Sequence, residues 1–584
     1  MINFDSLSLK ALINELKPIL TEGRVHKVQQ PSRNELLLTI RACGKNQKLY
    51  ICDNPKYPHI AVLSKEGEEL RSIEIPQIPP MFCMLLRKHM EGSKINDIKQ
   101  PGFNRILEIA FESYSELGDK VPMVLSCEFM GKYSNIILYN YETNVIIGCA
   151  HTVSSEKSRE REVAGGLPYI YPPKQNKMDI NKLSEQEFLN LVRIIPVPVN
   201  VWLNEHFAYM SKAIATEICE ICDIETRENK VSALSVEKVT CLYEITKKTI
   251  NLENLNPSLS KDMKLYSPIG LSKMHNWEKT DSVNSMLDRY FGYQVFKDKF
   301  TGLKNSLLNI AKKEFKKKKK IHEKHCQTAY SDQKPENYKQ IADLIMANLY
   351  KIQQGSGLAN LENIYDNNRM MQIPLDPSLS AAGNAQKYYK LYNKGKVAAK
   401  HSEELLKEID NEIKYLEALE ESINQAETLQ DLAQIKQEFI DQGLINQREI
   451  KSKKKALESI QPAEFISSDG FIIYAGKNNR QNEYILKNSS PEDLWLHVQN
   501  IPGSHVIIKT QKDKEIPETT LHEAVYIAGW HSQAKTSSNA PVVYTKRKFV
   551  KKPSGAKPGF VIYAHEKTLW VNPDEDKVKS LRKK

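Results

Sequence analysis

The chain has 584 residues, 83 Lys+Arg against 72 Asp+Glu and a formal net charge of +11, with 40% hydrophobic and 27% charged residues. That length exceeds what one hydrophobic core organises, so several domains are expected, and the apolar content excludes a disordered chain. The charge is uneven: residues 541–584 hold 12 Lys+Arg and 4 Asp+Glu, and residues 311–325 hold 8 Lys and 2 Glu. Outside these two patches the chain is slightly acidic, and local basic patches suit a polyanion better than a small acidic metabolite.

Residues 1–20 are amphipathic and carry acidic side chains where a signal peptide has an apolar core, and no run of about 18 apolar residues follows, so a cytoplasmic protein with no membrane partner is expected. The nine cysteines lack a framework spacing. Cys219 and Cys222 form the one close pair, without a nearby second pair or histidine, and read as buried core thiols; no metal site and no cofactor are expected.

The first stretch reads as mostly β. Strands are predicted at residues 25–29, 35–41 and 47–52, with turns at Gln30-Pro31-Ser32 and Cys43-Gly44-Lys45, then a helix over 81–90 behind Pro79-Pro80. More strands are predicted at 105–111, 123–129 and 136–139, and the Pro-rich segment 167–173 reads as a rigid extended linker. A helical region follows over 180–272.

The middle differs in kind. Phe296, Phe300, Leu303, Leu307 and Ile310 are spaced as a heptad seam, and Leu406, Ile409, Ile413, Leu416 and Ile423 form a second. A helix at 336–352 and strand-like pieces at 361–365 and 371–373 lie between them. Two heptad helices around a small cap predict an antiparallel hairpin arm within one chain, with a homodimeric coiled coil as the alternative. After Pro462 strands return at 471–474, 484–486, 493–498, 506–509 and 542–550, with a turn at 476–479, one helix at 521–535 and a last hairpin of 560–563 with 568–571. The fold class is therefore α+β multidomain: a β-rich domain (1–179), a helical region (180–272), an arm (273–460) with a cap at about 330–382, a small α+β domain (461–550), and a basic hairpin and tail (551–584).

The sharpest cluster is Asp493-Leu494-Trp495-Leu496-His497. Strand alternation puts Asp493, Trp495 and His497 on one face and the leucines in the core. An exposed Trp495 beside His497 would stack a nucleobase, with His505 in the following turn meeting a phosphate. Alternatively Trp495 packs under the helix and Asp493 satisfies His497; a metal set of Asp493, His497 and His505 is a weaker third reading. Lys509, Lys546, Arg547, Lys548, Lys551 and Lys552 suit phosphate-backbone contact, with a solvated surface as the alternative. Five consecutive lysines, Lys316, Lys317, Lys318, Lys319 and Lys320, surround a helix and repel one another unless an anion is near. The stripe His522, Tyr526 and Trp530 reads as core more readily than as a ligand platform. Glu108 and Glu112 fall on one strand face, as an ion pair or acid/base group. No nucleophile–base set is visible, and G-x-S-x-G, HExxH and GxGxxG are absent.

Several strings in fixed order then identify a resemblance: FDSLSLKALINEL from Phe4, PPMFCMLLRKHMEG from Pro79, FMGKYSNIIL from Phe129, GLPYIYPP from Gly166, IPLDPSLS from Ile373, DLWLHVQNIPGSHVII from Asp493 and VKKPSGAKPG from Val550. The whole chain resembles the NFACT family. The resemblance implies a first domain like the N-terminal domain of formamidopyrimidine-DNA glycosylases, a helix-hairpin-helix region, a coiled-coil arm touching rRNA and an RNA-binding domain. It also implies a non-enzymatic factor, monomeric on the ribosome, that binds large subunits still carrying peptidyl-tRNA. Such a factor recruits tRNA, tRNA-Ala in the bacterial members, for mRNA-independent alanine tailing that marks nascent chains for degradation.

Residue by residue, the resemblance places tRNA contact at Asp5, at Asn104 and Arg105 in a strand, and at Glu128, Phe129 and Met130. Asn104 stands where the family has an aspartate, so tails absent, shorter or altered relative to an Asn104→Asp variant are expected. Tyr209 stands in the hairpin turn where the family usually has glycine. Base excision is not implied, since Ile2 replaces the N-terminal proline nucleophile. Many relatives are called fibronectin-binding proteins, so a surface adhesin is one rival reading; a general nucleic-acid structural protein is another.

Overall fold

The computed structural model describes residues 4–583 except 115–117, 157, 159, 174–175, 193–196, 226–233, 271–275, 330–334, 447–459 and 512–513. It divides into two units, Met1–Lys299 and Phe300–Lys584. In the first, α1 (Ser6–Leu20) starts at Asp5, whose carboxylate accepts the Ser8 N–H at 2.8 Å, a cap that stabilises by about 1 kcal/mol. Leu9, Leu12, Leu16 and Leu20 of α1 recur at helical spacing and are buried. They pack with two antiparallel sheets in one core. The first sheet runs in the order β1 (Arg24–Ser32), β2 (Glu35–Ala42), β3 (Lys45–Cys52), β4 (His59–Val62). Helices α2 (Lys65–Arg71) and α3 (Met81–Met90) follow, and the second sheet runs β5 (Ile95–Lys99), β6 (Ile106–Tyr114), β7 (Lys120–Glu128), β8 (Asn135–Asn140), β9 (Ile146–Cys149).

The β2–β3 reversal falls at Cys43-Gly44, with φ of 48° and 74°, the geometry that matches strand twist in a two-residue hairpin. The turn expected at Gln30-Pro31-Ser32 lies further on: β1 continues through Ser32 and the chain reverses at Arg33-Asn34. Pro31 is tolerated in a strand because β1 is an edge. The segment expected to be a linker is packed instead. Tyr169 is buried, stacks on Tyr139 at 4.3 Å and hydrogen-bonds Glu128 at 3.1 Å, while the Tyr171 hydroxyl donates to Glu108 at 2.6 Å. Glu108 is therefore an interior carboxylate, with the half-exposed Lys99 ammonium 3.6 Å away; Glu112 pairs with Lys120 at 2.8 Å.

Helices α4 (Glu185–Val192), α5 (Val199–His206), α6 (Lys212–Ile221) and α7 (Val236–Ile250) surround a separate core that includes Trp202, Phe188 and Phe207. Cys219 and Cys222 are buried there, as expected, and Cys222 Sγ lies 2.6 Å from Cys241 Sγ. A small sheet, β10 (Ser258–Ser260), β11 (Tyr266–Ser267) and β12 (Trp277–Lys279), precedes α8 (Val283–Ala329). The first turns of α8 enter the main core through Val283, Met286, Leu287 and Phe291. There Asp288, 1% exposed, meets the Arg71 guanidinium, 0% exposed, at 2.7 Å, and also accepts the Ser64 N–H and hydroxyl at 2.9 and 2.7 Å. Two glycines make the room: a Cβ on Gly67 would strike the Asp288 carboxylate and one on Gly292 the Arg71 guanidinium.

In the second unit α8 continues alongside α10 (Ala381–Gln425), reached through α9 (Pro335–Ala347), β13 (Leu358–Asn363) and β14 (Arg369–Pro374). The cap built by α9 and the two-stranded sheet has its own core around Leu344, Ile345, Leu361 and Ile373. Lys304 bonds the Asn424 carbonyl, Lys312 pairs with Glu420, Lys318 with Glu412 and His322 with Asp410. Numbers that rise along one helix and fall along the other describe an antiparallel pair within one chain. Leu307 meets Leu416, Leu419 and Ile423 in its seam, and α11 (Leu429–Asp441) closes it with Leu432, Ile435 and Phe439.

A six-stranded sheet completes the unit, in the order β15 (Ala463–Ile466), β16 (Ile472–Ala475), β18 (Val506–Ile508), β17 (Leu494–Val498), β19 (Ala540–Lys546), β22 (Lys567–Val571). Helix α13 (Glu518–Trp530) and α14 (Glu575–Leu581) contribute Ala524, Val525, Ala528 and Val578 to the core on one face. Residues 484–486, expected as a strand, lie in α12 (Asn479–Lys487), because Asn478 caps it by accepting the Gln481 N–H at 2.9 Å. The expected last hairpin does not form. β21 (Ile562–Tyr563) pairs with β20 (Val550–Lys551), and β22 joins the large sheet beside β19.

Asp288→Asn leaves the Arg71 charge buried without its counter-ion and should lower stability by about 3–5 kcal/mol, whereas Arg71→Met with Asp288→Leu should cost much less. Urea unfolding of the full chain followed by circular dichroism measures both; a single-variant loss below about 1 kcal/mol, the value of a surface pair, would contradict the anchoring role.

Candidate nucleic-acid interface

Asn104 and Arg105 lie on the turn that enters β6 and not inside a strand. The turn is held from several sides. Gln100 Nε2 donates to the Asn104 carbonyl at 2.8 Å and to the Ser6 carbonyl at 3.2 Å. The Phe129 N–H donates to the Arg105 carbonyl at 2.8 Å, and Arg105 Nη1 reaches the Phe4 carbonyl at 3.4 Å. Arg105 stays half-exposed, with the Asp5 carboxylate as its opposite charge. The Asn104 side chain is half-exposed and makes no hydrogen bond among the described residues.

Asp5 is therefore a structural hub more than a free acid. Burial pushes its carboxyl up, and the bond from the Ser8 N–H, the nearby Ser211 hydroxyl and the Arg105 charge pull it back. Ser211 is itself the N-cap of α6, accepting the Ile214 N–H. Its neighbour Tyr209 has φ 60°, a left-handed backbone that costs a non-glycine residue about 1–3 kcal/mol.

Of the string Glu128-Phe129-Met130, two members have no surface for a tRNA. Glu128 is fully buried against Arg161, with Oε1 at 2.9 Å from Nη1; burial raises its carboxyl and Arg161 opposes that rise. Phe129 is fully buried, its ring edge-on to Phe4 at 5.2 Å. The two lie on opposite sides: Glu128, the last residue of β7, faces Arg161 and Tyr169, while Phe129, just past the strand, enters the core beside Phe4 and holds the Arg105 carbonyl through its N–H. Met130 is half-exposed, its N–H bonded to the Ser134 hydroxyl at 2.9 Å.

The second unit corrects the reading of the Trp495 face. Alternation is as expected, with Leu496 on the α13 side, yet Trp495 is 0% exposed. It lies with Ile485 and Leu486 of α12, Ile507, Val543 and Tyr563, so the face is covered by α12 and residues 550–563. Its ring stacks on His497 at 5.8 Å and meets His505 and Tyr563 at 5.4 and 5.2 Å. Burial pushes the imidazoles of His497 and His505 down, so both are neutral at neutral pH and neither offers a charge to a phosphate. Trp495 Nε1 and His505 Nδ1 are buried without a hydrogen-bond partner among the described residues.

Asp493 does not satisfy His497. It is buried and takes Lys509 at 2.6 Å, the Thr510 N–H and hydroxyl at 2.9 and 2.8 Å, and the Ser490 N–H at 2.7 Å; burial opposes ionisation, but these donors hold its carboxyl below the usual range. His497 instead bonds the Gly503 carbonyl at 3.3 Å. No group of three metal-ligating side chains stands together among the described residues. The stripe is core in part: Tyr526 and Trp530 are half-buried and pack against the domain core, with Lys577 and Lys535 over their rings at 4.3 and 3.6 Å, while His522 is exposed.

The basic run is partly neutralised from inside. Lys546 and Lys548 share Glu492 at 2.7 and 2.8 Å, Lys552 pairs with Glu483, and Arg547 Nε donates to the Leu486 carbonyl at 3.0 Å. Lys551 and Lys567 are exposed and make no ion pair among the described residues. In α8, Lys317 and Lys318 meet Glu314 and Glu412, while Lys316, Lys319 and Lys320 are exposed and have no ion pair among the described residues. The acidic partners answer the repulsion expected of five lysines in sequence.

One aromatic that the sequence reading passed over is open. Trp570, 60% exposed, sits on edge strand β22 opposite Pro541, on the face of Thr568, Val543 and His497 and beyond the reach of α12. The alternation Thr568-Leu569-Trp570-Val571, with Leu569 and Val571 inward, was the available signal.

Comparison with known proteins agrees with this layout. The family described as NFACT N-terminal and middle domains matches residues 5–458, and the NFACT protein RNA binding domain matches residues 461–563. The chain is 33% identical over 590 residues to the Rqc2 homolog RqcH of Bacillus subtilis (strain 168), covering 100% of each protein. It is 30% identical over 586 residues to the Rqc2 homolog RqcH of Streptococcus pneumoniae serotype 2, again covering 100% of each. A solved structure, the N-terminal of the fibronectin/fibrinogen-binding protein from Streptococcus suis, aligns at 25% identity and a TM-score of 0.41 over 50% of this chain and 99% of that one. Matched along its whole length and in the order of its parts, the chain belongs to the NFACT family.

Proposed function

We propose that this protein is a ribosome quality-control factor of the cytoplasm. It binds large ribosomal subunits that stalled with peptidyl-tRNA attached and brings them charged tRNA, tRNA-Ala above all. The ribosome then adds alanines to the nascent chain without mRNA, marking it for degradation. The chain's own task is to hold and orient tRNA, and bond formation is the ribosome's. The observation that carries the reading is the Asn104–Arg105 turn, a cation and an amide kept at the surface by Asp5, Phe4, Gln100 and Phe129, in a chain collinear with the RqcH proteins.

The other surfaces fit a partner that large. Lys316, Lys319 and Lys320 suit rRNA phosphates along the arm, and Lys551 and Lys567 suit a nucleic-acid backbone at the RNA-binding domain. Trp570 is the better stacking platform there, because an indole must be exposed to receive a base. A surface adhesin would make no use of a braced cation beside an open amide or of an arm carrying exposed lysines.

Arg105→Ala should lower alanine tailing at least about tenfold, as loss of a charge-assisted contact would, when tails on a stalled reporter are measured by mass spectrometry. Asn104→Asp should change tail length in the same assay; identical tails in variant and parent would mean that the amide does not meet the tRNA. Trp495→Ala should cost about 3–5 kcal/mol of stability, whereas Trp570→Ala should leave melting unchanged and weaken binding to a single-stranded RNA oligonucleotide by about 1–3 kcal/mol. Undiminished RNA affinity in Trp570→Ala would contradict the stacking role.

A further inference from the structure

Tyr209 occupies the turn between α5 and α6 with a φ of 60°, a conformation that glycine adopts freely and tyrosine does not. Such a backbone persists only where its surroundings over-determine it. Three contacts do so here. The Tyr209 hydroxyl donates to the Gly102 carbonyl at 3.2 Å, its ring meets the Phe103 ring edge-on at 5.4 Å, and Lys10 Nζ lies over the ring at 4.6 Å. Two of the three partners are the residues immediately before Asn104 and Arg105.

The turn needs that grip. Gly102 itself has φ 63°, and this limb projects ahead of β6 without strand pairing. On the other flank Gln100 ties the Asn104 carbonyl to Ser6, and the Phe129 N–H holds the Arg105 carbonyl. Among the described residues, Tyr209 is the side chain that closes on Gly102 and Phe103 from the helical region. Two positions along, Ser211 lies near the Asp5 carboxylate and, with the charge of Arg105, holds its carboxyl down against burial.

We propose that Tyr209 is a positioning residue for the Asn104–Arg105 turn, clamping it from the helical region so that the guanidinium and the amide meet tRNA in one orientation. The inference rests on the reading of that turn as the tRNA contact. The backbone strain at Tyr209 is the cost of carrying a ring and hydroxyl where a glycine would leave the turn ungripped.

The test uses the full-length chain, a labelled tRNA-Ala transcript and the variants Tyr209→Gly, Tyr209→Phe, Arg105→Ala and the double variant Tyr209→Gly/Arg105→Ala. Tyr209→Gly should bind tRNA about fivefold more weakly, Tyr209→Phe about twofold, and the double variant no more weakly than Arg105→Ala alone, since the two act through one turn. Melting temperature should not fall in Tyr209→Gly, because glycine relieves the backbone, while amide exchange over residues 101–105 should quicken. A merely structural tyrosine would give the opposite pattern: a lower melting temperature, and a tRNA effect that adds to that of Arg105→Ala. Parental affinity in Tyr209→Gly alongside weakened Arg105→Ala overturns the proposal. Parental affinity in Arg105→Ala overturns instead the reading of the turn, and unchanged exchange over 101–105 in Tyr209→Gly overturns the clamp.

Discussion

The Asp5 carboxylate sits where three stretches of sequence converge. It caps α1 through Ser8, and Ser211 at the start of α6 and the charge of Arg105 both hold its carboxyl down against the effect of burial. A carboxylate drawn out of water must be met by donors and by a counter-charge, and here those donors belong to the first sheet domain, the helical region and the turn. The arginine is thereby kept charged and half-exposed without support from a strand. The acidic residue that the resemblance expects beside Arg105, at position 104, is absent, and Asp5 supplies the opposite charge from the other side.

The same economy governs the RNA-binding domain. Its first helix and the two residues before it meet α11 and the residue Glu427 ahead of it through polar side chains: Asn478 and Gln481 both bond Gln434, at 3.0 and 3.1 Å, Asn479 bonds Glu438 at 2.9 Å and Lys477 bonds Glu427 at 2.8 Å. Directional polar contacts of this kind specify one arrangement where an apolar contact would permit several. Lysines that read as a free basic surface are partly spent on such pairs, and the charge left for a partner is smaller and better localised than the composition suggests.

Local patterns were legible and long-range coverage was not. The heptad residues Leu307, Leu416 and Ile423 were readable because period alone marks a seam, and their antiparallel pairing followed from the short cap between them. Strand alternation around Trp495 was also readable. What buries Trp495 is α12, which reads locally as a strand, together with the segment 550–563, more than fifty residues away, which no local pattern announces. Residues 484–486 looked like a strand because Tyr, Ile and Leu are adjacent there, but the Asn478 cap and the buried Gln481, Asn482 and Ile485 on one face decide for a helix. At the candidate site, Arg105 and Asp5 were identified through resemblance, while Glu128 and Phe129 proved to be internal supports, which a string of letters does not distinguish from contacts.

The central claim is that this chain holds tRNA on a large ribosomal subunit. The most direct measurement is affinity capture of the tagged full-length protein from cells, followed by sequencing of the RNA that comes with it. Large-subunit rRNA should be recovered together with strong enrichment of tRNA-Ala over other tRNAs. Recovery of DNA, or of RNA containing neither large-subunit rRNA nor a selected tRNA, would contradict it.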